Sequence, residues 1–239
     1  MRLKYIGWFN INIETNWAVC RSDPTDGRAL FTMISYLCIM QTSPIPIEDH
    51  PLEPFLPEGA KILMLGSFPP KRVRWSMDFF YPNFINDMWR IMGLVFFNDK
   101  EHFICKGVRA FDKERCAGFA AGKGIAMYDT ACQVRRLKDN ASDKYLEVVT
   151  PTDLHSLLER IPACKAIVTT GQKATDVIVA TFGCTEPPVG EYSEFTIDGR
   201  SMRLWRMPSS SRAYPLALEK KAGFYMNMFK KENILRKRH

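Results

Sequence analysis

Three short loops hold the residues of this chain whose types and spacing could do chemistry. They are residues 66–70 (GSFPP), 128–131 (YDTA) and 207–212 (MPSSSR). Backbone N–H groups in the turn from Gly66 to Phe68 could stabilise a developing anion, and the Asp129 carboxylate could orient a water molecule. Serines just before a helix suit phosphate binding. The three loops together are therefore the candidate site.

A basic and aromatic segment follows the first loop. Its cationic side chains, Lys71, Arg72 and Arg74, could bind phosphates, and its aromatic side chains could stack on a nucleobase: Trp75, Phe79, Phe80 and Tyr81. Phe80 is the first stacking candidate and Phe79 the second, because adjacent residues of an extended loop cannot both face one pocket. The other of the two is expected in the core.

The elements around these loops alternate between strands and helices. Apolar runs bounded by Gly or Pro predict buried strands at 61–65, 124–128, 166–170 and 202–207, the last entered by a hairpin from 195–197. Helices are predicted at 85–94, 112–121, 152–160, 172–182 and 215–235. Strands that alternate with helices indicate a parallel sheet, whose ligands bind at the carboxyl ends of the strands. Such a sheet would bring the three loops together.

Composition excludes several classes of site. The net charge of +7 fits a polyanionic partner but is common in other proteins. The seven cysteines are scattered and form no CxxC motif, so they favour reduced thiols over a metal or iron–sulfur site. None of the four histidines, His50, His102, His155 and His239, lies in the three loops. A histidine-driven mechanism is therefore not favoured, and neither a metal nor a cofactor is expected.

Residues 1–57 differ from the rest of the chain. Residues 1–41 show no clean period, and residues 42–57 form a Pro-rich, acidic segment. The apolar run 29–40 is too short to span a bilayer and is not a convincing signal peptide. We expect residues 1–57 to be a poorly packed extension and residues 58–239 to be the domain. A short partner-binding or membrane-surface segment is the alternative for residues 1–39.

The sequence lacks the motifs of three common α/β enzymes. There is no G-x-G-x-x-G, no P-loop and no G-x-S-x-G nucleophile elbow. Over about residues 58–230 it instead resembles the uracil-DNA glycosylase superfamily, above all the mismatch-specific and hypoxanthine-DNA glycosylase branch. The matching segments are LMLGSFPP (63–70), Tyr81-Pro82, Asn86-x-x-Trp89, GIAMYD (124–129), TTGQKA (169–174) and MPSSSR (207–212).

This resemblance implies a fold and an activity. The fold would be a three-layer α/β/α sandwich around a four-stranded, mainly parallel sheet. The activity would be excision of a deaminated or mismatched base from DNA, without a cofactor. We expect the protein to be a cytoplasmic monomer that does not bind a membrane.

The resemblance also implies roles for individual residues. Residues 66–69 and 79–81 would form the base pocket, and Asn86 and Asp129 would be catalytic, although a helix cap or a turn explains each equally well. Ser142 and Asp143 are weaker candidates for the same rim. Pro208, Ser209, Ser210 and Ser211 would grip DNA phosphates, and Arg212 would fill the space left by the extruded base. A Ser-capped turn is the alternative for this loop.

Two positions depart from the family pattern. Met207 stands where the family often has His or Asn, and Ser67-Phe68 stand where several branches place Asp or Asn. Both changes remove polar groups that would help the leaving base or position water. Three hypotheses follow: a glycosylase acting on a deaminated base, a DNA-binding relative without excision activity, and an unrelated α/β hydrolase or small-ligand protein.

Overall fold

The computed structural model describes residues 45–138 and 145–235, which belong to one unit that begins at Ile45. The extension 1–39 and the rim candidates Ser142 and Asp143 lie outside the described residues.

A five-stranded sheet forms the centre of the unit, with the strand order β3-β2-β6-β8-β7. Its parallel members are β2 (Ile62–Gly66), β3 (Ile125–Asp129), β6 (Ala166–Thr170) and β8 (Arg200–Met207). The fifth, β7 (Tyr192–Ile197), pairs antiparallel with β8. The expectation of four strands is therefore wrong by one. Asp198 and Gly199, both with positive φ, close a hairpin between β7 and β8, and β7 joins the sheet as its edge strand.

A second, three-stranded antiparallel sheet has the order β1-β4-β5 and was not predicted. It consists of β1 (Ile47–Asp49), β4 (Ala131–Arg136) and β5 (Leu146–Pro151). A mixed α/β fold is thus confirmed, but two sheets replace the single sheet that was expected.

The Pro-rich segment that we expected outside the domain is part of its packing from Ile45 onward. Strand β1 pairs with β4, and Phe55 exchanges two backbone hydrogen bonds with Met127 at 3.0 and 2.9 Å. Prolines suggested a loop here, but Pro46 and Pro51 flank β1 and do not lie within it, so they interrupt none of its pairing with β4.

The described residues contain five α-helices, of which the last follows the final strand: α1 (Met88–Phe97), α2 (Lys113–Lys123), α3 (Leu154–Glu159), α4 (Gln172–Phe182) and α5 (Leu218–Lys231). Asp112 and Asp153 cap α2 and α3, each by accepting a hydrogen bond from the backbone N–H three residues on. No helix of the described residues is both long and apolar enough to cross a membrane.

Burial is complete along the strands that position the site. Every residue of β2 and β3 is buried, which explains why both read as continuous apolar runs. Trp89 of α1 is fully buried, and its indole N–H donates to the Phe80 carbonyl at 2.9 Å. This bond ties the aromatic segment 79–81 to the core.

Candidate functional site

A cleft of about 730 Å³ opens at the carboxyl ends of the parallel strands. All three loops predicted from the sequence line it, through residues 66–70, Asp129 and residues 209–212. Its volume lies in the range of small-ligand sites. The predicted residues that line this cleft, called here the base cleft, are Gly66, Ser67, Phe68, Pro69, Arg74, Phe80, Tyr81, Asn86, Asp129, Ser209, Ser210, Ser211 and Arg212.

Asp129 lies at the floor of the base cleft, where strands β2 and β3 end side by side. It pairs in register with Gly66, and its carboxylate is held so close that a Cβ on residue 66 would collide with Oδ1. The next strand end contributes Thr170, whose Oγ1 would lie 3.9 Å from the same Cβ. Glycine at position 66 therefore makes room for the Asp129 carboxylate.

His50 is the partner of Asp129, with 2.9 Å between Nε2 and Oδ2. Its side chain is only 2% exposed, and its ring packs against Tyr128 and Phe68 with centroid distances of 4.6 and 5.3 Å. The sequence did not indicate this contact, and the expectation against a histidine-driven mechanism stays a prediction. His50 lies 79 residues before Asp129 and reaches it because β1 joins β4, which follows Asp129 almost directly.

The other ring nitrogen of His50 faces the backbone of Leu52, which offers it two kinds of partner. Nδ1 lies 2.7 Å from the Leu52 carbonyl oxygen and 3.2 Å from the Leu52 N–H. A protonated Nδ1 can donate to the carbonyl, and an unprotonated Nδ1 can accept from the N–H. Leu52 thus holds the ring at Nδ1 while Nε2 faces Asp129.

The two adjacent phenylalanines are both buried in the core, with Phe80 5% and Phe79 6% exposed, but only Phe80 also lines the base cleft. Phe80 lines the base cleft, and its ring lies 6.4 Å from that of His50. Phe79 instead packs edge-on against Phe55 at 5.0 Å and near Trp89 in the core. Phe80 is thus placed to meet a ligand, and Phe79 does not line this cleft.

Tyr81 occupies a left-handed backbone conformation, with φ of 53°, that aromatic residues rarely adopt. Its hydroxyl lies 3.2 Å from the Thr170 hydroxyl. Burial raises the pKa of Tyr81 well above its usual value, so the phenol stays neutral at physiological pH. Strain of this kind persists where surrounding contacts fix the residue, often at functional sites.

An ion pair between two strands of the smaller sheet holds the first loop. The Arg136 guanidinium binds Glu48 through Nε at 3.1 Å and Nη2 at 3.0 Å, and Nη2 also donates to the Pro69 carbonyl at 3.2 Å. Arg136 also lines the base cleft, with a side chain that is 4% exposed. Sequence reasoning missed this residue because it lies within a strand rather than in a loop.

Asn86 lines the base cleft and also forms a turn just before α1, whose N-cap residue is Asp87. Its Oδ1 accepts the backbone N–H of Met88 at 2.9 Å, at the start of α1. The next residue, Asp87, donates its backbone N–H to the Ser210 carbonyl at 2.9 Å. This turn therefore engages the Asn86 side-chain oxygen, and the segment also holds residues 207–212, called here the serine loop.

The cations after the first loop are exposed, and one of the three lines the base cleft. Arg74 is the one that lines the cleft. Arg72 pairs with Asp78, and its guanidinium lies 4.1 Å from the Trp75 ring centroid. Lys71 is exposed and directly precedes this turn. Trp75 in turn donates its indole N–H to the Pro70 carbonyl at 2.6 Å. The turn is therefore braced against the first loop.

Buried side chains of α5 stabilise the serine loop through hydrogen bonds to its backbone. Ser209 Oγ accepts the Ser211 N–H at 3.2 Å, and the buried Lys221 ammonium donates to the Ser211 carbonyl at 2.8 Å. Pro208 does not line the base cleft, and its carbonyl accepts the Tyr225 hydroxyl at 3.1 Å.

Arg212 closes this loop at the edge of the base cleft. Its Nε donates to Asp87 Oδ1 at 2.9 Å, while its side chain stays 49% exposed. The guanidinium thus has a fixed anchor and remains accessible.

The site offers carboxylate, imidazole, aromatic and cationic groups, but no metal-binding cluster. Within residues 45–138 and 145–235, no three His, Cys, Asp or Glu side chains are arranged to hold a metal ion. The base cleft can therefore hold an aromatic ring, place a carboxylate beside it and contact anionic groups at its rim.

Comparison with solved structures supports the fold. The chain matches the solution NMR structure of "a putative Uracil DNA glycosylase from Methanosarcina acetivorans" with a TM-score of 0.54 and 19% sequence identity. The match covers 79% of this chain and 99% of that one. No protein-family model and no curated protein matches the sequence.

Proposed function

We propose that this protein is a monofunctional DNA glycosylase that excises a deaminated or mismatched base, such as uracil or hypoxanthine. The observation that carries the proposal is the single cleft in which the three strand-end loops meet around Asp129. The likeness in fold and the family resemblance of the motifs lining that cleft support it.

Base excision requires the target nucleotide to leave the duplex and enter a pocket. Phe80 offers a ring for stacking, and the backbone N–H groups of Ser67 and Phe68 can bind negative charge on the leaving base. The serine loop and Arg74 border the same cleft and can hold the phosphates on either side.

The chemical step is hydrolysis of the bond between the base and C1′ of deoxyribose. The C–N bond breaks with its electron pair leaving on the base, and a water oxygen bonds to C1′. Asp129 stabilises the cationic sugar and accepts the proton of the attacking water. His50 holds the carboxylate through Nε2, and the Leu52 backbone holds the ring at Nδ1.

The test uses duplexes that contain uracil, hypoxanthine, xanthine or mismatched thymine, with alkaline strand scission after incubation as the readout. The wild-type protein should release at least one of these bases. Asp129→Asn should lower the single-turnover rate by about 100-fold or more, the usual contribution of a general base. His50→Gln should lower it less, because the carboxylate remains.

The chain provides a matched control in a second His–Asp pair. His155 Nδ1 lies 3.3 Å from Asp198 Oδ2, and both side chains are largely exposed outside the base cleft. Asp198→Asn and His155→Gln should leave excision unchanged. Absence of product from all four lesions with folded wild-type protein would overturn the proposal, as would wild-type rates in Asp129→Asn.

DNA binding without excision is the second candidate, and Met207 favours it. This side chain is 1% exposed in the core, so the position brings no polar group to the cleft. The same assay separates the two functions, because a binding protein would hold these duplexes without releasing a base.

A further inference from the structure

A second cleft, of about 1010 Å³, lies on the far side of Arg212 from the base cleft. The start of α1 and residues 99–109 form most of its lining. Arg212 lines both clefts, so the two are neighbours that meet at its side chain. A ligand that crosses Arg212 therefore passes from one cleft into the other.

Positive charge predominates in this second cleft. Its charged lining contains six basic residues, Arg90, Lys100, Lys106, Arg109, Arg115 and Arg212, and three acidic ones, Asp87, Asp99 and Glu101.

Two of the basic residues have ionic partners, since Arg212 pairs with Asp87 and Arg115 with Asp112. For the other four, no carboxylate of the described residues lies within 4.0 Å. The carboxylates of Asp99 and Glu101 offset part of this charge, but the lining keeps a net positive charge. A concave surface with a net charge of one sign concentrates ions of the other sign. This cleft is therefore suited to an anionic ligand.

Aromatic rings hold part of this charge in place. The Arg90 guanidinium lies 4.6 Å from the Phe84 ring centroid and 5.2 Å from that of Phe111, and Nη1 donates to the Phe84 carbonyl at 2.8 Å. Arg109 approaches the same Phe84 ring at 5.7 Å. Burial, and next the nearby Arg212, lower the pKa of Arg90, while Asp87 and Glu101 raise it.

We propose that this second cleft binds the sugar-phosphate backbone of the DNA strand that continues past Arg212 from the extruded nucleotide. The inference rests on the proposed function, because it takes the ligand of the base cleft to be DNA. Phosphodiesters carry one negative charge per nucleotide, and Arg and Lys bind them without reading sequence. The cleft thus extends the DNA-binding surface beyond the loops recognised from the sequence.

Lys106→Ala combined with Arg109→Ala tests the inference. Both side chains are exposed, so the fold should persist, as a melting curve would check. The control combines Arg160→Ala with Lys165→Ala, which removes the same charge. Both residues are exposed and precede β6, at the amino-terminal end of that strand. Neither control residue lines either cleft.

The measurement is equilibrium binding to a duplex with a central tetrahydrofuran abasic analogue and about ten base pairs, one helical turn, on each side. Fluorescence anisotropy is followed from low to high salt. The Lys106/Arg109 variant should bind about 10-fold more weakly than the control at low salt. Its slope of log K against log salt should be smaller by about 1.8, because each lost phosphate contact removes about 0.9.

Chemical neutralisation of the DNA supplies a second readout. Uncharged methylphosphonate linkages on one flank of the analogue should weaken binding of the wild type but not of the Lys106/Arg109 variant. Equal affinities and equal salt slopes for the variant and the control would overturn the inference. So would a loss of binding to a polyglutamate peptide alone, since this result would indicate a protein partner.

Excision assays on the same preparations separate this inference from the proposed function. If the wild type releases a base and the Lys106/Arg109 variant keeps full DNA affinity, only the second cleft has been misassigned. If no base is released but the variant loses affinity and salt dependence as expected, the cleft binds DNA and only the glycosylase activity is refuted.

Discussion

At the scale of single residues, the position of the Asp129 carboxylate depends on the absence of a side chain opposite it. Gly66 has a negative φ, so its conformation suits any residue, and the space taken by Asp129 Oδ1 is the reason for glycine. Glycine is therefore required at position 66 by the contact with Asp129, and not by the backbone conformation of the turn.

Gly66→Ala should therefore impair catalysis more than folding. The new methyl group must displace the carboxylate, and misplacing a catalytic group by about 1 Å can cost on the order of 100-fold in rate. Overpacking of this kind should lower the free energy of unfolding by about 1–3 kcal/mol. Single-turnover excision and urea denaturation measure the two effects.

Gly118→Ala is the matched control for this substitution. Gly118 lies in α2, and a Cβ there meets nothing within 4 Å. The alanine should leave excision unchanged and stabilise the helix by about 0.5–1 kcal/mol. Equal rates for Gly66→Ala and Gly118→Ala would show that the Asp129 carboxylate has no fixed position in catalysis.

At the scale of elements, the short strand β1 contributes more to the site than its three residues suggest. Glu48 within it pairs with Arg136, which supports the Pro69 carbonyl, and His50 directly after it binds Asp129. One strand thus positions the first loop and the Asp129 carboxylate together.

Glu48→Gln should destabilise the protein markedly, because it leaves the Arg136 guanidinium buried without a counter-charge. Breaking a buried ion pair costs about 3–5 kcal/mol, and we expect about 3 kcal/mol here, since the Glu48 side chain is 30% exposed. Glu147→Gln is the control, because the Arg135–Glu147 pair on the neighbouring positions is exposed and should contribute less than about 1 kcal/mol. Similar urea midpoints for the two variants would contradict this role of Arg136.

The elements also show how far the sequence could predict the site. The ranges 166–170 and 172–182 match the observed strand and helix, because Gly171 and Gly183 mark their boundaries with positive φ. The loops at these strand ends converge because parallel strands share their polarity. His50, Glu48 and Arg136 were missed because a long-range antiparallel pairing brings them together, and no local pattern encodes that pairing.

At the scale of the whole molecule, α5 connects the core with the DNA-binding loop of the proposed function. Its Tyr225 is fully buried and donates its hydroxyl to the Pro208 carbonyl, and its Lys221 supports Ser211 from the same helix. The C-terminal helix therefore couples the stability of the fold to the geometry of the loop.

Tyr225→Phe tests this coupling through the pH dependence of stability. Burial raises the pKa of Tyr225 well above its usual value of about 10, so the folded state keeps the phenolic proton that the unfolded state begins to lose above that pH. The stabilisation from this group is complete below about pH 10 and is lost as the pH rises further, by up to about 1.4 kcal/mol per pH unit.

At pH 7 the Phe variant should be less stable than the wild type by about 1 kcal/mol, the value of one hydrogen bond. Urea denaturation between pH 8 and 11 should then show the two free energies of unfolding converging above about pH 10, because the variant has no phenol to ionise at this position. A constant difference across this range would mean that the Tyr225 phenol ionises equally in both states. The hydroxyl would then be in contact with solvent, and its hydrogen bond to the Pro208 carbonyl would be broken.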